Sequence, residues 1–513
     1  MSSNSRPRGV SRRTFFQAGA LGASALALAQ STSTAAPRPH TSRPNILFLI
    51  ADQHRGDCVG ADGNAAIHTP NMDRLAREGA LFRCAYSTTP TCTPARAALL
   101  TGMNPWNHGM LGYSKVPEKY PVEMPQVLRD AGYYTLGVGK MHWSPQRGTH
   151  GFHNLILDEA TREETPDFRS DYRAWFASEA PSLNPDATGI GPNSYRAGAY
   201  ALPEELHPTH WTGEVARRFI EGYDRPEPFF MKVSFVRPHS PYDPPQRWMD
   251  SYQDRDLPAA HIGKWADRYR PRSSDEDTLW HGDLGADQVR HSRQGYYGCV
   301  SHVDEEIGRI LETLESRGML ENTLVLYTSD HGDMTGDHHL WRKSYAYEAS
   351  ARIPMIVRWP EGMIDARRGQ TLHMPVEIRD ILPTFAEAAG ATIEHPIDGR
   401  SLLDAVRGAE DWRPWIDLEH DVCYSKENHW SGLTDGKTKY IFHAWSGEEQ
   451  LFDLVDDPGE ITDLAGDPAH AATLMIWRGR LIAHLEPRGE AWVKDGQLAL
   501  RPESVLKSPN YPA

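Results

Sequence analysis

At 513 residues the chain is too long for one small domain and suits one large α/β domain with a smaller one. Its 39% hydrophobic and 24% charged residues allow a sizeable core and exclude bulk disorder, and a net charge of -15 argues against non-specific nucleic-acid binding. Five cysteines (Cys58, Cys84, Cys92, Cys299 and Cys423), odd in number and without a CxxC pair, exclude a zinc knuckle and a dense disulfide framework. Taken singly, Cys58, Cys84, Cys299 and Cys423 read as small buried apolar side chains.

In chain order, Ser11-Arg12-Arg13-Thr14-Phe15-Phe16 precedes an apolar, Ala-rich stretch from Ala18 to Ala29 and small residues to Ala36. That order is the order of a twin-arginine export signal over residues 1–36, too short in its apolar part to span a membrane. The mature chain is therefore expected to fold before export and to work in the periplasm or outside the cell. No second long apolar run follows, so no stable membrane insertion is expected. Asn45 to Ile50 is a nearly continuous apolar run, as in a strand buried on both faces. Thr69-Pro70 opens a helix from Asn71 to Ala80, with Thr69 as its cap. A helix from Met124 to Ala131 leads to strand Tyr134–Val138. Ser144 to His210 reads as an insertion of loops and short helices. Strand Phe229–Phe235, an amphipathic helix over Ala286–Arg317, and strands Thr323–Thr328 and Pro354–Trp359 follow. The alternation predicts an α/β fold over residues 43–408: a large doubly wound, mostly parallel sheet flanked by helices. Residues 409–513 read as a smaller α+β subdomain with strands Lys437–His443 and Glu449–Leu454 and a helix Pro468–Leu485.

The densest local signal is Cys92-Thr93-Pro94-Ala95-Arg96. Pro94 suits the first turn of a helix, which puts Cys92 at an N-terminus where backbone N–H groups and the dipole stabilise anions. Arg96 lies one turn in, four positions on, so both can face one ligand. Asp52-Gln53 and Asp330-His331 each follow a predicted strand, and in an open α/β sheet sites gather at the carboxyl ends of strands. Carboxylates there suit a hard divalent cation with oxygen ligands, and His331 adds a nitrogen. Lys140, His142, His239 and Lys343 bring cationic or titratable groups to further strand ends or loops close to them. His54 and Arg55 read as solvated loop residues, and His338 and His339 as cleft wall.

Cys92 to Arg96, continuing through Ala97-Ala98-Leu99-Leu100-Thr101-Gly102, resembles the signature of the type I, formylglycine-dependent sulfatases of the alkaline phosphatase superfamily. The pairs Asp52-Gln53 and Asp330-His331, the segments Gly139-Lys140-Met141-His142 and Pro238-His239-Ser240-Pro241, and Lys343 resemble the same family. The stretches Leu451 to Leu454 and Asp457 to Glu460 do so too. The resemblance implies that a formylglycine-generating enzyme oxidises Cys92 and that the aldehyde hydrate supplies the nucleophile. It implies a divalent metal, Ca²⁺ in first place with Mg²⁺ or Mn²⁺ as alternatives, held by Asp52, Gln53, the modified Cys92, Asp330 and His331. Gln53 stands where the family more often has Asp, which leaves its direct ligation open. Lys140 and Lys343 would grip sulfate oxygens, Arg96 would orient the hydrate, and His239 would contact substrate and protonate the leaving group. His142 would take the proton from the second hydroxyl, and the two histidines are interchangeable at this stage. The expected activity is sulfate-ester hydrolysis on a sulfated carbohydrate or small molecule. One alternative is a phosphodiester or phosphonate monoester hydrolase of the same superfamily. The other is a non-catalytic sulfated-glycan binder, which predicts gaps in this residue set, and it has none.

Overall fold

The computed structural model describes residues 43–160 and 168–512, so the expected export signal over residues 1–36 lies outside the described residues. Residues 42–513 form one compact unit. At its centre is an eight-stranded sheet: β1 (Asn45–Asp52), β2 (Ala80–Phe82), β3 (Tyr134–Gly139), β4 (Asn154–Leu157), β5 (Phe229–Pro238), β6 (Thr323–Ser329), β7 (Met355–Arg358) and β8 (Gln370–Leu372). The spatial order is β4-β3-β5-β1-β6-β7-β2-β8, and every pairing is parallel except the two made by β7.

The continuous apolar run of β1 has a direct cause. Ile46, Phe48 and Ile50 face one core, while Leu47, Leu49 and Ala51 face another across the sheet, so neither face can carry a polar residue. The first core is shared with α2 (Cys92–Thr101) through Ala95, Ala98 and Leu99. The second is covered by α3 (Ala286–Ser316), a 31-residue helix that buries Val303, Ile307, Ile310 and Leu314. A four-stranded antiparallel sheet follows, β9 (Ile416–His420), β10 (Trp430–Thr434), β11 (Thr438–His443) and β12 (Glu449–Asp453), and then helix α4 (Ala471–Leu485). Among the described residues no helix is long and apolar enough to cross a membrane. All five cysteines are free thiols.

The Pro354–Trp359 run is a strand, as expected, and it enters the sheet antiparallel, a direction that an apolar run does not encode. Three expectations need correction. The insertion after Ser144 contributes β4, which extends the parallel sheet beside β3. The helix begun at Pro70, α1 (Pro70–Glu78), stops before Ala80, which opens β2. Gly79 allows that switch, since a Cβ there would lie 2.0 Å from the Val357 carbonyl oxygen. Nor does the Thr69 side chain cap α1: its Oγ1 accepts from Gly60 N and donates to Asp73.

A residue distant in sequence does that capping. From α3, Asp304 Oδ1 accepts Met72 N at 2.8 Å, and Oδ2 accepts Asn71 N at 3.1 Å and Asn71 Nδ2 at 3.0 Å. Asp304→Ala would strand these N–H groups inside the α1–α3 interface. We expect it to cost roughly 1–3 kcal/mol, seen as a lower thermal unfolding midpoint; an unchanged midpoint would refute the capping role.

Candidate active site

Four parallel strands end side by side. β1 delivers Asp52 and Gln53, β6 delivers Asp330 and His331, β3 delivers Lys140, and β5 delivers His239. The turn after β3 is tight: Gly139 has φ 86°, and a Cβ on it would lie 2.1 Å from the Ser234 carbonyl oxygen. His239 N donates to Asp52 O at 3.0 Å, which ties the β5 end to the β1 end. Across this edge comes α2, whose first residue is Cys92 and whose N-cap is Thr91. The Thr91 hydroxyl does not cap the helix. It is engaged with Ser344 Oγ at 2.7 Å and His420 Nε2 at 2.6 Å, so Cys92 is held at the helix N-terminus by contacts from two other segments.

At the centre, ligand atoms of Asp52, Cys92, Asp330 and His331 all lie within 4.8 Å of one another, and all four residues are buried. Cys92 Sγ is 3.1 Å from His331 Nε2 and 3.8 Å from Asp52 Oδ1. His331 Nδ1 is 2.9 Å from the Gly332 carbonyl, so it carries the proton and turns Nε2 toward the cluster as an acceptor. Arg96 binds both carboxylates, donating from Nε to Asp330 Oδ2 at 2.8 Å and from NH2 to Asp52 Oδ2 at 3.3 Å. Its NH1 donates to Lys140 O at 2.6 Å and Ser234 Oγ at 3.2 Å, which fixes the guanidinium plane. The Lys140 ammonium pairs with Asp52. Lys343 Nζ donates to Gln53 Oε1 at 2.7 Å and lies 2.8 Å from His239 Nε2.

The electrostatics follow from this crowding. Burial opposes ionisation of Asp52, yet Lys140, His239, Arg96 and His331 outweigh it and hold the carboxyl well below its ordinary range. For Cys92, burial and Asp52 push the thiol up, but Lys343, His331 and Lys140 prevail and bring it down to about 6. Burial alone would lower His331; Asp330 and Cys92 raise it above its usual value. The donor set of two carboxylates, one imidazole and the Cys92 side chain, anchored from behind by Arg96, fits a hard divalent cation. A cationic rim of Lys140 and Lys343 fits a tetrahedral anion beside it.

The structure thus brings together Asp52, Cys92, Arg96, Lys140, Asp330 and His331, with Gln53, His239 and Lys343 joined to them. Gln53 N donates to Asp330 Oδ1 at 3.1 Å, while its side-chain amide spans Asp333 and Lys343. His142 shares the Lys140 loop, and its Nε2 lies 3.4 Å from Tyr113 Oη. Three residues that the motifs did not single out support the set. Asp333 accepts from Gln53, Tyr242, Thr335 N and Arg342 N, and its place in Asp330-His331-Gly332-Asp333 was a visible signal. Glu159 accepts Met141 N at 2.8 Å and His142 N at 3.1 Å, holding His142 at φ 63°. Ser234 braces Arg96; neither it nor Glu159 left a mark in the sequence. His54 and Arg55 are corrected: both are buried, His54 against Tyr327 and the Cys58 carbonyl, Arg55 between Asp57 and Asp337. His338 walls a different cavity, of about 660 Å³, together with Arg55, Asp337 and Glu460.

A family model described as Sulfatase matches residues 44–391, and one described as N-sulphoglucosamine sulphohydrolase, C-terminal, matches residues 336–485. The chain is 37% identical to an arylsulfatase of Clostridium perfringens over 485 residues, 91% of this chain and 99% of the relative. It is 31% identical to a choline-sulfatase of Rhizobium meliloti over 487 residues, 89% of this chain and 90% of the relative. Among solved structures it is similar to a phosphonate monoester hydrolase of Agrobacterium radiobacter, with a TM-score of 0.73 and 26% identity over 87% of this chain and 96% of that one.

Removing the shared counter-charge tests the electrostatic reading. Arg96→Met leaves two buried carboxylates with one cation fewer, and we expect a loss of about 3–5 kcal/mol, read as a fall in thermal midpoint. A variant as stable as the parent would contradict it.

Proposed function

This chain belongs to the sulfatase family of the alkaline phosphatase superfamily and hydrolyses sulfate esters, and on that premise we propose that its substrates are sulfated carbohydrates and its nucleophile is formylglycine made from Cys92. The observation that carries the reading is the convergence of Asp52, Cys92, Asp330 and His331 within 4.8 Å beneath Lys140 and Lys343. The match to a sulphoglucosamine sulphohydrolase C-terminal model supports a sugar substrate.

Asp52, Asp330, His331 and the modified Cys92 side chain would hold the cation, Ca²⁺ by preference for this oxygen-rich set, with Gln53 beside them. When bound, the cation supplies positive charge to the sulfate and to the Cys92-derived hydroxyl. Arg96 keeps the two carboxylates in place, so neither has to reorganise during reaction. Lys140 and Lys343 grip sulfate oxygens. The Lys343 ammonium can only donate, so His239 Nε2 accepts from it and Nδ1 carries the proton toward Ser240 O at 2.9 Å. Lys343 and His239 therefore form one proton-carrying pair, from which the departing oxygen takes its proton through His239. His142, held by Glu159, takes the proton of the second hydroxyl of the Cys92 hydrate as sulfate leaves. Maturation requires a formylglycine-generating enzyme, and the twin-arginine order at residues 1–36 supports export to the periplasm or beyond.

A second reading has its own support in the similarity to a phosphonate monoester hydrolase: a slower activity on phosphonate monoesters in the same anion pocket. One panel tests both. Enzyme co-expressed with a formylglycine-generating enzyme is assayed on sulfated glycosaminoglycan disaccharides, 4-nitrophenyl sulfate, choline sulfate and phenyl phenylphosphonate. We expect the highest kcat/KM on a disaccharide and a Cys92 peptide whose mass shows aldehyde in place of thiol. Cys92→Ala should lose on the order of 10⁴-fold in kcat or more. Turnover confined to the phosphonate, or full activity with an intact thiol, would overturn the assignment.

A further inference from the structure

β4, the strand concealed in the insertion, is followed directly by Asp158, whose N donates to Gly139 O at 3.2 Å, so this carboxylate stands next to the Lys140 loop. Asp158 Oδ1 accepts Ala160 N at 3.1 Å. Asp158 Oδ2 meets no donor among the described residues although the residue is only 2% exposed, and the Ser240 hydroxyl, on a residue 3% exposed, is likewise without a partner. Both residues line a cavity of about 420 Å³ that also has Lys140 and His239 in its wall. The two guanidiniums of this wall are already engaged: Arg237 Nε binds Asp243 Oδ1 at 2.6 Å, and Arg173 binds both Asp186 oxygens at 2.8 and 2.9 Å. Burial pushes the Asp158 carboxyl up, against its bond from Ala160 N and the fields of Arg237, Arg173 and Lys140.

A buried acceptor left unmade is costly and calls for a partner, and one that faces a cavity beside the site can find it in a bound ligand. We propose that this cavity is the subsite for the alcohol part of the ester, and that Asp158 Oδ2 and Ser240 Oγ together bind a hydrogen-bond donor on it, a hydroxyl or an ammonium group. The inference rests on the sulfatase reading, because Lys140 and His239 join the cavity to the place where the esterified oxygen is released. It makes Asp158 a specificity-determining residue: esters of polyhydroxy or amino alcohols are favoured over aryl esters that carry no donor.

Asp158→Asn is a sharp probe. Its Oδ1 keeps the bond from Ala160 N, while the cavity-facing oxygen becomes an N–H donor. Wild type and variant are compared on 4-nitrophenyl sulfate, galactose 6-sulfate and glucosamine 6-sulfate. We expect the ratio of kcat/KM on the better sugar sulfate to that on the aryl sulfate to fall about 10–100-fold. A fall for both sugars identifies a hydroxyl donor, and a fall for glucosamine 6-sulfate alone identifies the ammonium. Should Asp158→Asn fail to fold, Ser240→Ala, which leaves the backbone carbonyl that accepts from His239, should lower the same ratio about 3–10-fold. A wild type that hydrolyses the aryl ester, with a ratio that neither variant moves, overturns this inference alone. A wild type that turns over none of the three esters overturns the proposed substrate class and this inference with it.

Discussion

Two fully buried carboxylates, Asp52 and Asp330, set the terms for everything around them. Placing such charges in a low-dielectric interior costs several kcal/mol each unless cations and donors meet them at close range. Arg96 meets both, Lys140 meets Asp52, and Gln53 N meets Asp330. The requirement explains why residues from three strand ends and one helix must converge, and why Ser234 and the Lys140 carbonyl hold the Arg96 guanidinium in one orientation. It also links cation and anion binding. A divalent cation held by Asp52 would take over the role of the Lys140 ammonium, which would then be free for an oxyanion.

Much of this was legible in the sequence because it follows from local rules. A strand sandwiched between two cores must be apolar throughout, so β1 and β6 announced themselves, and polar residues directly after such runs marked the site edge. The Cys92-Thr93-Pro94-Ala95-Arg96 run indicated a helix N-terminus because proline tolerates the first turn and little else in a helix. What escaped depends on partners distant in the chain. The antiparallel entry of β7 and the edge strand β4 are decided by neighbours that no local periodicity reports. Glu159 and Ser234 act through contacts to Met141, His142 and Arg96, and a lone Glu or Ser in a sequence gives no hint of that. His54 and Arg55 looked like loop residues and proved buried, because Tyr327 and Asp337 come from segments more than two hundred residues away to meet them.

The supporting residues divide the work. Glu159 and Gly139 shape the loop that carries Lys140 and His142, so the proposed anion grip and the proposed proton acceptor are set by one short turn. Lys343 and His239 form the second pair, joined to the first through Gln53 and Asp52. On the outer side, Asp158 and Ser240 line a cavity continuous with that wall, which gives the edge strand a reason to exist beyond extending the sheet. The fold supplies strand ends for the site, and the insertion after β3 supplies Asp158 to the cavity beside it.

The most direct test of the central claim is a crystal structure of the protein grown with calcium and sulfate. The account predicts one cation at roughly 2.3–2.6 Å from carboxylate oxygens of both Asp52 and Asp330, with the Lys140 ammonium turned from Asp52 to a sulfate oxygen. A cation bound elsewhere, or Lys140 still paired with Asp52 at saturating calcium, would contradict it.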